Sequence, residues 1–248
     1  MLQAEARMSS CDILFDTQGH VATPEYISET IVAFGDKYNN ATRDIIRDSR
    51  VLDEDGKTFI KCASLILSSF GMTRRGPFKG AGVAGKTNKK KLLSKCWDEI
   101  GGQLLEVNRS VIESGFSRDR YLLELSEPER YWQIGKVWLM TKQLLPFTMG
   151  KTSHGLVGAS KIIFSVLPEI ALPVDNAQWT YVFKTVDLGD VIKRMVSDIQ
   201  QWEQITGRQL NELDHSKRLT TLPSVYNVMA MHARPETNET KKNTIFLS

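Results

Sequence analysis

Residues 155–179 read GLVGASKIIFSVLPEIALPVDNAQW, and the rest of the chain is organised around them. Val157-Gly158-Ala159-Ser160-Lys161 reads as a Gly-punctuated turn that places a basic residue at the opening of an apolar helix. Ile162, Ile163, Val166 and Leu167 follow at helical spacing. Pro168 and Pro173 then end the helix and stiffen the return, because proline lacks an amide donor and fixes its own φ. Asp175 comes next, with Trp179 four residues on and on the same face of a short helix expected over 176–183. Lys161 and Asp175 are 14 positions apart, so one helix and one short return could bring an amine and a carboxylate to a common mouth. Asp175 is also placed to cap the helix that follows it. Core packing is the first expectation for Trp179.

The flanking segments read as further helices. Thr23-Pro24-Glu25 is a helix start, with proline in the first turn and an acid near the positive end of the dipole; that helix is expected to reach Tyr38. Asp53 to Gly56 is a turn, after which Phe59, Cys62, Ile66 and Phe70 form an apolar stripe that Gly71 ends. Lys90 to Asn108 reads as a helix. Ser126-Glu127-Pro128-Glu129 is a capping box that opens another, with Tyr131, Ile134, Trp138 and Leu145 expected on one face. Leu188, Val191, Met195, Ile199 and Trp202 mark a long amphipathic helix ended by Gly207, and Ser224 to Ala233 a last apolar one. No strand pairs stand out, so the expected class is all-α. The expected organisation is an irregular arm over 1–22, one helical domain of two intimate lobes over 23–233, and a loose polar tail over 234–248.

Composition narrows the function classes. In 248 residues, 41% of them apolar, a substantial core can form. No run of 18 apolar residues suggests a membrane span, and MLQAEARMSSCDILFD has no apolar signal core. Cys11, Cys62 and Cys96 are odd in number and widely spaced, which suits a reducing cytoplasm. With the four histidines also scattered, no metal and no cofactor are expected. The net charge of +3 conceals an asymmetry: Met72 to Lys95 holds eight basic residues and no acids. They are Arg74, Arg75, Lys79, Lys86, Lys89, Lys90, Lys91 and Lys95, and the remainder of the chain is net acidic. Such a block suggests a polyanionic partner.

Gly80 to Thr87 matches the phosphate-loop pattern GxxxxGK followed by Ser or Thr. That chemistry needs a buried strand before the loop, so that backbone amides cradle the phosphates. Here Thr73 to Lys79 is basic and broken by Pro77, which does not suit a buried strand. The expected role of the segment is a DNA-contacting loop, with no nucleotide binding.

The order Gly-x-x-Lys, apolar helix, then Pro-Val-Asp-x-x-x-Trp resembles the helix-hairpin-helix DNA glycosylase superfamily, especially its 8-oxoguanine branch. The match covers roughly 153–179. It implies an all-α fold with a hairpin gripping the DNA backbone, a Lys that attacks the sugar, and an Asp beside the glycosidic bond. The usual Leu-Pro-Gly-x-Gly hairpin is replaced by Ser153-His154-Gly155-Leu156-Val157-Gly158, and the Lys-to-Asp stretch is shorter than usual.

The resemblance implies base excision from double-stranded DNA carrying a modified base, by a cytoplasmic monomer. The base must be flipped out of the stack, at about a few kcal/mol. Asp175 and Lys161 are the catalytic candidates. Asp175 would stabilise positive charge on the sugar or align a water; Lys161 would attack the anomeric carbon or hold a phosphate. The short stretch between them favours the water route. Arg74, Arg75, Lys79, Lys86, Lys89, Lys90 and Lys91, with Gly155, Gly158 and Ser160 of the hairpin, are the DNA-binding candidates. The unusual hairpin and the added Gly-rich loop point to a specialised substrate, such as glucosylated hydroxymethylcytosine in phage DNA, hence antiviral defence. Repair of oxidised bases such as 8-oxoguanine, and non-catalytic DNA binding on a helical scaffold, are the alternatives.

Overall fold

The computed structural model describes residues 13–15, 20–33, 52–74, 76–78, 83–215, 219 and 221–234, with the backbone alone at 74 and 83–88. The fold is all-α. Among the described residues the only extended pairing is a single bridge between Phe15 and Val21. The described residues form eight α-helices, in order α1 (24–33), α2 (Lys57–Ser69), α3 (Val83–Glu113), α4 (Tyr121–Glu124), α5 (Glu127–Leu144), α6 (Ser153–Phe164), α7 (Leu188–Thr206) and α8 (Leu222–His232). None of them is long and apolar enough to cross a membrane.

Local chemistry sets the ends. The Asp53 carboxylate accepts from the amides of Lys57 (2.7 Å) and Thr58 (2.6 Å), satisfying donors that the first turn of α2 leaves free. Gly71, at φ 68°, turns the chain after Phe70. At α5 the capping box forms, with Glu129 accepting from the backbone and hydroxyl of Ser126. Gly207, at φ 67°, closes α7.

Helix α6 is the centre. It packs on α2 and on α5, while α5 also packs on α3 and α7. Every α6 residue but His154 is buried, so the helix is covered on all sides. The buried apolar side chains form one cluster from Ile13 to Ala233. The described residues of the N-terminal arm belong to it: Ile13 and Leu14 are buried, and the Trp202 indole donates to the Ala22 carbonyl at 2.8 Å.

Four expectations change. Ser153 to Gly158 is not a hairpin but the first turns of α6, because Thr152 takes the N-cap and its hydroxyl accepts from the Gly155 amide (3.1 Å). The turn lies just upstream, through Leu145–Phe147 and Gly150 (φ 66°). Helix α3 begins at Val83, inside the phosphate-loop look-alike, and extends past Asn108 to Glu113. On α5 the buried stripe is Ile134, Val137, Met140, Thr141 and Leu144, a face rotated so that Tyr131 stays exposed. The expected 176–183 helix is one α-turn that widens into a π-turn over Gln178–Phe183.

Candidate active site

Lys161 stands in the last turn of α6, only 4% exposed. The ring of Phe70, the residue that ends α2, lies 4.6 Å from its amine. Among the described residues no hydrogen bond is made to that amine. Burial pushes the amine down from 10.5 to about 8; the charge of Asp175 pulls it up and that of Arg234 pushes it down. Asp175, the other catalytic candidate from the sequence, is thus one of the charges that act on the buried amine.

The chain between them is a buried return. Val166 to Val174 is buried throughout, which is unusual for a connection. Its one carboxylate, Glu169, is 1% exposed and ion-paired with Arg118. The Ser160 hydroxyl donates to the Val174 carbonyl (3.3 Å), and Ser153 donates to Asn176 (2.5 Å), so α6 is stitched to both sides of Asp175.

Asp175 is held from three directions. One carboxylate oxygen accepts from the Gln178 amide (2.8 Å), while the Gln178 side chain accepts from the Asp175 amide (2.8 Å). This reciprocal pair has the logic of a capping box. The Gln178 side chain donates in turn to Asn227 of α8 (2.9 Å). The other carboxylate oxygen pairs with the guanidinium of Arg234, just past α8. Asp175 thus caps the π-turn and acts on the Lys161 amine as well. Trp179 is fully buried, in the core as expected.

Gly155, Gly158 and Ser160 are buried in packing positions. A Cβ on Gly155 would collide with the Gly150 carbonyl, and one on Gly158 would sit 3.0 Å from Thr148. These glycines let α6 press against the preceding turn. Of the basic candidates, Lys90 and Lys91 are exposed on α3, as is Lys95. Lys89 donates to the Ser68 hydroxyl (3.1 Å). Ser68 is two residues from Phe70, so the C-terminal end of α2 touches both the basic segment and Lys161. Arg75 and Lys79 lie outside the described residues, as do the side chains of Arg74 and Lys86.

Phe70, Gln178, Asn227 and Arg234 were not anticipated in these roles. Gln178 had a local signal, three residues after an acid. Arg234 had none, being 59 residues from Asp175. A cavity of about 610 Å³ elsewhere, between the end of α3 and the start of α5, holds none of the predicted site residues. Glu113 and Glu129 line it, which does not suit a polyanion. No protein-family model, curated protein or solved structure matches this chain.

Proposed function

We propose that the protein is a DNA glycosylase that excises a modified base from double-stranded DNA. One observation carries the reading: the buried Lys161 amine feels the charge of the Asp175 carboxylate and lies against the end of α2 that also meets the basic segment. The likeness to the helix-hairpin-helix glycosylases supports it from the sequence side.

An amine at about 8 is neutral in about a tenth of molecules at pH 7, against roughly one in three thousand for an ordinary lysine. This moves the preferred route from water to Lys161. The neutral amine attacks C1′ of the flipped nucleotide, and the glycosidic bond breaks with its electron pair going to the base, which takes a proton from solvent. The sugar opens to an imine on Lys161, and water hydrolyses the imine to an abasic site and free amine. The Asp175 carboxylate stabilises positive charge on the sugar. The exposed Lys90, Lys91 and Lys95, with Lys89, hold the phosphates. The substrate favoured is a bulky modified cytosine such as the glucosylated hydroxymethylcytosine of phage DNA, which would make the protein a defence enzyme.

The test is mass spectrometry of bases released from DNAs carrying glucosylated hydroxymethylcytosine, 8-oxoguanine or no modification. Release of one modified base, lost in Asp175→Asn, supports the proposal. DNA binding without release from any substrate supports a non-catalytic binder instead.

A further inference from the structure

We propose that Arg234 is a positioning residue of this site: it fixes the Asp175 carboxylate to the end of α8 and sets a permanent cation beside the Lys161 amine. The inference rests on the reading of Lys161 and Asp175 as the reacting pair.

The geometry is specific. The Arg234 guanidinium is anchored on its own helix end, where its Nε donates to the Met231 carbonyl at 2.8 Å. From there it pairs with the Asp175 oxygen that Gln178 leaves free. Arginine suits the task because its planar fork serves two acceptors at once and stays charged at every working pH. Helix α8 thereby holds the Asp175 turn at two points, through Arg234 and through the Asn227–Gln178 hydrogen bond.

The charge has a second consequence. Asp175 and Arg234 are the charged groups whose fields reach Lys161 among the described residues, and they act in opposite senses. A lone carboxylate beside the amine would hold the proton on it and silence it as a nucleophile. The Arg234 charge offsets that pull. Lys161, pushed down chiefly by burial, can then lose its proton near neutral pH with that carboxylate still acting on it.

The test is a pH titration of Lys161 in the intact protein, read by ¹³C NMR of lysine Cε with the signal assigned by its loss in Lys161→Arg. The parent should titrate near 8. Arg234→Gln should raise the midpoint, Arg234→Lys should restore it, and Asp175→Asn should lower it. Should Arg234→Gln unfold, Asp175→Asn compared with Asp175→Asn/Arg234→Gln isolates the cation, because neither leaves a lone carboxylate; the double variant should titrate higher. An unchanged midpoint in folded Arg234→Gln, or equal midpoints in that second pair, overturns the proposal. Single-turnover base release gives the paired readout. Its rise with pH should follow the Lys161 midpoint upward in Arg234→Gln and return in Arg234→Lys; a fall in rate with that limb unmoved shows a merely structural residue. If the parent releases no base, the glycosylase reading falls, while the titration still judges Arg234.

Discussion

The ring of Phe70 lies 4.6 Å from the Lys161 amine and covers one side of a buried group on which, among the described residues, the charges of Asp175 and Arg234 act. An aromatic face attracts a cation, yet it replaces less solvation than burial removes. The amine therefore holds its proton less tightly in the folded chain than in the unfolded one, and the difference is a cost to stability.

That cost has a sign and a pH window. The shift from 10.5 to about 8 corresponds to on the order of 3 kcal/mol, present in full below about pH 8. The unfolded chain binds more protons between those values, so stability rises as pH climbs through them. Lys161→Met should be more stable than the parent by on the order of 2–3 kcal/mol at pH 7, in urea unfolding. The advantage should shrink towards pH 10.5. A Met variant less stable than the parent at pH 7 would contradict a buried, penalised amine.

The glycines of α6 make a separate prediction. Gly155→Ala should destabilise by about 1–3 kcal/mol, because the new methyl meets the backbone of Gly150 and cannot relax cheaply. Gly135→Ala, at an exposed α5 position with nothing within 4 Å, should stabilise by about 0.5–1 kcal/mol. Thermal unfolding of the two variants checks the contrast; shifts of the same sign would refute the packing role.

Salt dependence tests the basic segment. Replacing Lys89, Lys90 and Lys91 with Gln should weaken binding to duplex DNA. The log–log salt slope should fall by about 0.9 for each phosphate that is no longer neutralised. Fluorescence anisotropy across a salt series measures it. A parallel, merely displaced line would remove these residues from the interface.

Much of this architecture was legible in the sequence because its signals are local. The capping box at Ser126, the stripe of α7 and the glycine stop at Gly207 each act within one or two turns, and each forms as read. The 14-residue spacing of Lys161 and Asp175 is spanned by the end of α6 and a buried return, and the Asp175 charge acts on the amine across it. The glycines at 155 and 158 misled, because glycine serves a turn and a close helix contact equally well. The Thr152 cap, which settles the matter, is a one-residue signal beside them. Arg234 was illegible for another reason: its partner is 59 residues away, and only the docking of α8 brings the two together.

Borohydride trapping, during reaction with DNA that carries the released base, is the sharpest test of Lys161 as the nucleophile. A covalent protein–DNA adduct should form and disappear in Lys161→Ala, and base release in Asp175→Asn should fall by about 10² or more. Base release by the parent that leaves an intact abasic site, with no adduct anywhere between about pH 7 and 9, spanning the Lys161 midpoint, would contradict that role. The chemistry would then return to water directed by Asp175.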